Sequence, residues 1–178
     1  MDVIWDGITR AETLNKESAA IRHALADAAK SFNWPRVCEI ISEHKDLANS
    51  TRPNGSSLFA PLHQAAHGGA SIEVIQQLVD LGAWRTLQNA HGERPVDVAI
   101  RTQHTHLLAV LEPVYKHLVP LDVLLQIQNH FHAVIRIRAE HLVQEHALRL
   151  PELEPLLELG RPQMWFPIPG MYEVSATV

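Results

Sequence analysis

The twelve histidines of this 178-residue chain are the first place to look for chemistry. His130, His132, His141 and His146 lie close together, and imidazole nitrogen is a common ligand for transition metals. Their spacing argues against a shared ion. On a helix turning 100° per residue, His130 and His132 point about 160° apart. His130 and His141 share a face but stand about 16 Å apart along the axis. His141 and His146 are five residues apart and out of register, and no His pair at four-residue spacing encloses a glutamate. No metal and no other cofactor is expected. Nucleophilic chemistry is equally thin. Cys38 is the single cysteine, and it falls on a helical pattern near the core, where a thiol behaves as a small apolar group. There is no nucleophile elbow, phosphate-cradling glycine loop or dinucleotide fingerprint. The chain reads as a non-enzyme.

Composition narrows the partners. A formal net charge of −5 and a longest basic cluster of only Arg136 and Arg138 exclude a phosphate-backbone partner. No apolar run reaches the length of a membrane span. The opening "MDVIWDGITRAETLNKES" lacks the basic and apolar regions of a secretory signal. With one cysteine and no pair to oxidise, the expected compartment is the cytoplasm.

The elements that would position a binding surface come from an internal repeat. "APLHQAAHGGASIEVIQQLVDLGAWRTLQN" (60–89) aligns with "RPVDVAIRTQHTHLLAVLEP" (94–113), Pro61 on Pro95, His63 on Asp97 and Ala65 on Ala99. The offset is 34, one more than a period of about 33, and Ser71 is the natural home of the surplus residue. An earlier copy, "ALADAAKSFNWPRVCEIISEHKDLAN", places Ala28–Ala29 against Ala65–Ala66, with a longer loop "NGSSLFAP" after it. Each copy makes physical sense as a helix pair. Pro61 and Pro95 suit a first helical position. Val74, Ile75, Leu78 and Val79 follow helical spacing. Gly82 supplies a helix stop that needs positive φ.

"APLHQAA…EVIQQLVDLGA…NAHGERPVDVA" resembles the ankyrin repeat family, whose pattern centres on Thr-Pro-Leu-His-x-Ala-Ala. A small bacterial-type member with a non-repeat helical C-terminal extension fits best. The resemblance implies an all-α fold: a short solenoid of about three repeats, the first and last degenerate, needing caps because each pair leaves an apolar face uncovered. Departures are visible. Ala60 and Arg94 stand where the family has threonine, and Phe32 stands where it has glycine between helices. His63 holds the family position whose ring bonds neighbouring backbone, whereas His104 and His106 read as solvated turn residues.

The expected organisation is an N-terminal cap (1–19), repeats (20–113), capping helices (114–150) and an apolar Pro-rich tail packed on the body (151–178). A short helix is expected at Val114–Leu118. One long helix from near Pro120 carries Leu124, Ile127, Phe131, Val134, Ile135 and Leu142 as a buried stripe covering the last repeat.

By resemblance, the function is non-catalytic recognition of another protein by the concave face and hairpin fingertips. The residues placed there are Asn54, Ser57, Phe59, His67, Trp84, Arg85, His91, Glu93 and Arg101. Trp165, Phe166 and Tyr172 form a candidate binding arm. Two alternatives stay open: a homo-oligomeric scaffold, a homodimer in its simplest form, assembled through the long helix and tail, or a small-ligand or metal-dependent enzyme at the repeat–tail junction.

Overall fold

The protein is described by a computed structural model covering residues 3–171. Its described residues form seven α-helices and no strands: α1 Lys16–Lys30, α2 Trp34–Glu43, α3 Pro61–Gly68, α4 Ile72–Asp80, α5 Pro95–Arg101, α6 Leu108–Leu111 and α7 Leu121–Glu145. None of these helices is long and apolar enough to cross a membrane.

Local sequence explains where the helices start. Asn15, Asn33 and Ser71 cap α1, α2 and α4 by accepting the amides of Ser18, Arg36 and Val74. Neither Ala60 nor Arg94 has a hydroxyl to cap α3 or α5. Stabilisation comes from the other direction, as His63 Nδ1 accepts the Ala60 amide at 3.3 Å and Asp97 Oδ2 accepts that of Arg94 at 2.9 Å. The third residue of each helix thus does the same work, an imidazole in α3 and a carboxylate in α5.

The turns after α1, α3 and α5 are left-handed at Phe32 (φ 59°), Gly69 (φ 64°) and Gln103 (φ 63°). Phe32 therefore adopts the same left-handed backbone as Gly69, at the steric cost of a Cβ in that region. Its ring lies across Gly68, where an added Cβ would come within 2.4 Å of it. Ala70 separates Gly69 from the cap Ser71, whereas Phe32 is followed directly by the cap Asn33. Ser71, expected as the surplus residue, is thus the cap itself, and Ala70 is the additional residue of this turn.

The helices pair as α1/α2, α3/α4 and α5/α6, and they line up in two rows, α1–α3–α5 and α2–α4–α6. The main core runs between the rows through Leu25, Val37, Ile41, Leu62, Ala65, Ile75, Leu78, Val98, Leu107 and Leu111. Ala65, Ala66 and Ala99 are fully buried at the crossings of α3 and α5; a larger side chain there would force the helices apart.

A second core lies beside the loops, built from Trp5, Trp84, Leu87, Leu124, Leu153, Leu156, Leu157 and Met164. It joins sequence-distant segments. Trp5 donates its indole N–H to Arg149 O at 2.8 Å, and residues 3–5 pair with Trp165 through two backbone hydrogen bonds of 2.7 Å. Gly7 lies so close to Arg149 O that a Cβ would sit 2.6 Å from it, leaving no room for a side chain.

Two expectations about the C-terminal part are corrected. Val114–Leu118 is not helical. The segment between Pro113 and Pro120 runs irregularly, and the amides of Lys116 and His117 donate to Leu157 O at 2.7 and 3.3 Å. Nor does α7 lie directly on the last helix pair. Leu124, Phe131, Ile135 and Val143 pack on the loop core and on the tail residues Leu148, Leu150, Phe166 and Ile168. Ile127 and Val134, assigned to the buried stripe, are 43% and 49% exposed, about 60–80° around the helix from the line of Leu124, Phe131 and Ile135.

Candidate functional site

The loop 48–60 between the first two helix pairs overhangs the first row of helices. It is pinned from below and from the side. Asn54 donates its amide to Thr9 O at 2.7 Å and accepts the Ala11 amide on its side chain. Ser57 O accepts the Ala90 amide at 3.0 Å, linking this loop to the next. Phe59, half-buried, stacks on His63 with ring centres 5.5 Å apart and meets the edge of exposed His67 at 6.0 Å.

Beneath the loop, α1 and α3 enclose a cleft of about 250 Å³. Its floor is apolar, with Leu25, Ala29, Phe59 and Pro61; nearly buried Arg22 stands on its inner wall, and Lys30 and Arg52 complete the lining. Arg22 is held by the carboxylate of Asp6 at 3.1 Å; burial pushes the Asp6 carboxyl up, and Arg22 opposes that shift. Arg52 pairs with exposed Asp27, whose carboxyl its hydrogen bond holds below the ordinary range.

The second loop is a network rather than a set of free tips. Asn89 is buried; its side-chain oxygen accepts the amides of His91 and Glu93, and its nitrogen donates to Glu93 at 2.8 Å. Arg101 grips Glu93 through Nε at 2.6 Å and a terminal nitrogen at 3.1 Å. Arg101 and Asn89 together hold the Glu93 carboxyl down to about 2. His91 and Arg101 are exposed.

Asn54, Ser57, Phe59, His67, His91, Glu93 and Arg101 thus lie along loops 48–60 and 89–93 and on the helices α3 and α5 that follow them. Trp84 and Arg85 do not face outward with them. Trp84 is 6% exposed and stacks on Trp5 at 6.0 Å. Arg85 turns its Nε to Val110 O at 2.9 Å. The arm is packed on the body as well: Trp165 is half-buried on the Val3–Trp5 strip and Phe166 packs on both smaller cores. Tyr172 lies outside the described residues.

Three carboxylates that sequence reasoning passed over hold the tail to the second loop. Glu158 accepts the amides of Arg85 and Thr86 and the Thr86 hydroxyl, the last at 2.6 Å. Glu152 accepts the Gln88 amide at 3.0 Å and pairs with Arg149. Buried Glu154 takes two hydrogen bonds from Arg94 and one from Tyr115, whose hydroxyl is pushed up to about 12 by burial and by that carboxylate. The only clue was "PELEPLLE", acidic residues inside an apolar Pro-rich stretch, where a solvated acid is out of place.

Four histidines tie the carbonyls of distant segments. His104 Nδ1 donates to Ala66 O at 2.9 Å and His106 Nε2 to Ala70 O at 3.1 Å, so these residues bind the neighbouring helix pair instead of standing in solvent. His117 and His132 likewise donate to Leu159 O and Pro151 O. Among the described residues no three His, Cys, Asp or Glu side chains converge as a metal site. Cys38 is buried, and burial pushes its thiol pKa up, away from nucleophilic use. No protein-family model matches the chain.

Proposed function

We propose that the chain is a short ankyrin-type solenoid that binds a partner protein, without catalysis, on the face carrying loops 48–60 and 89–93. The two rows of paired helices, the left-handed turns in register at Phe32, Gly69 and Gln103, and the capping contacts of His63 and Asp97 support the solenoid reading. The observation that carries the binding reading is the cleft under loop 48–60, open beside exposed His67 and half-buried Phe59. It sits on rigid helices, as recognition surfaces do. In this reading the protein works in the cytoplasm.

The test is capture from native lysate by wild type and by Phe59→Ala/His67→Glu/Arg101→Glu, the variant first shown to melt cooperatively. A protein held by wild type and released by the folded variant is the expected result. Equal retention by both moves the site off this face and refutes the assignment.

A second reading, self-association through α7, is favoured by the exposed stripe of Val123, Ile127, Val134 and Ile137, the last 85% exposed. Light scattering across a hundredfold concentration range decides it. A constant monomer mass excludes the dimer.

A further inference from the structure

We propose that the cleft under loop 48–60 takes an acidic peptide segment of a partner protein, anchored by one apolar side chain; this rests on the partner-binding reading above. The chain has a formal net charge of −5, yet the cleft is lined by Arg22, Lys30 and Arg52 and by no aspartate or glutamate. Among the described residues Lys30 makes no ion pair. Arg52 gives one terminal nitrogen to Asp27, and a guanidinium carries five N–H donors, so most of its fork remains available. Arg22 is committed to Asp6 through Nε and one terminal nitrogen on the same oxygen, and it fixes the inner wall. The hydroxyls of Thr51, Ser56 and Ser57 add neutral donors beside the cations.

Size then limits what enters. Small-molecule sites are usually some 300–1,000 Å³, and about 250 Å³ falls below that range. The volume suits one apolar side chain with its flanking backbone. Leu25, Ala29, Phe59 and Pro61 offer it an apolar floor, while Lys30 and Arg52 stand where the neighbouring carboxylates of an extended peptide would reach. Charge-assisted hydrogen bonds to Arg52 would fix the peptide's register.

The experiment uses the full chain and three fluorescein-labelled nonapeptides: one leucine flanked by aspartates and glutamates, its Asn/Gln counterpart, and the acidic peptide with glycine in place of leucine. Amide shifts are mapped by NMR alongside anisotropy titrations. The acidic leucine peptide is expected to shift the amides of Gly55, Ser56, Ser57 and Gln64. Its affinity should fall at least tenfold in Lys30→Glu/Arg52→Glu and at least threefold when leucine becomes glycine. Equal binding of the neutral peptide, unchanged binding by the double variant, no cleft shifts at millimolar peptide, or the same shifts from inorganic phosphate alone would each overturn the proposal. Lysate capture separates the two levels. A partner lost by the Phe59/His67/Arg101 variant but retained by Lys30→Glu/Arg52→Glu refutes the acidic-peptide site and leaves the binding module standing; retention by both refutes both.

Discussion

Acidification should unfold this protein through one ring, that of His63. The side chain is wholly buried. Its Nδ1 accepts the Ala60 amide at 3.3 Å and its Nε2 faces Glu93 O at 3.2 Å, which assigns the neutral tautomer protonated on Nε2. A second proton would displace the Ala60 bond and charge a dry site, so burial, aided by nearby Arg149, lowers the pKa from 6.5 to about 4. Between those two values the unfolded chain binds a proton that the folded chain refuses. The contribution is complete above pH 6.5 and shrinks as pH falls toward 4. Linkage gives ~2 kcal/mol lost by pH 5 and ~3 kcal/mol by pH 4. Glu93, held down to about 2, joins only below its ordinary value of 4.5. The assay is urea unfolding at pH 7.5 and 5.0 for wild type and His63→Gln, with wild type losing ~2 kcal/mol more than the variant. Should the variant not fold, the His63 ring resonances in wild type give the answer directly, staying neutral down to pH 5. Titration near 6.5, or equal losses in the two proteins, refutes the reasoning.

Other substitutions probe the remaining contacts. Trp84→Ala removes a buried ring stacked on Trp5 and should cost about 3–5 kcal/mol in urea unfolding; a cost below about 1 kcal/mol would place Trp84 outside the core. Glu158→Gln weakens the three hydrogen bonds it accepts from Arg85 and Thr86 and should cost about 1–3 kcal/mol. The amides of Arg85 and Thr86 should then exchange faster with solvent, and unchanged protection would count against the tail's role. Gln103→Gly relieves a left-handed residue on an exposed turn and should raise stability by about 0.5–1 kcal/mol in the same assay, with no gain arguing that the Gln103 turn is unstrained.

What the sequence made legible was whatever recurs locally. The prolines opening α3 and α5, the small residues at the helix crossings and the stop at Gly82 each follow from a requirement of the next few residues, and they lie where spacing placed them. The rest depends on segments far apart in the chain. Nothing near Glu158 indicates that the amides of Arg85 and Thr86, more than seventy residues away, need its oxygens. Trp84 beside Arg85 looks like a contact pair until Trp5 is known to lie against it. On α7, two apolar stripes compete. Leu124, Phe131 and Ile135 face the tail while Val123, Ile127 and Val134 face out, and periodicity alone cannot rank one above the other. The cleft was missed for the same reason, since Arg22, Lys30 and Arg52 come together only once the loop folds over α1.

The tie between Trp5 and the segment around Arg149 and Trp165 also governs the order of events during synthesis. Helix pairs close over short separations and can form while the chain is still emerging. Trp5 must wait for partners about 140–160 residues downstream, and long loops are slow to close. Until then its indole and that of Trp84 are both uncovered, an apolar surface inviting capture by chaperones or by other nascent chains. A ribosome stalled before Arg149 would therefore display a largely formed stack of helices with an open side, and indole fluorescence should report the closing of that side as the last step of folding.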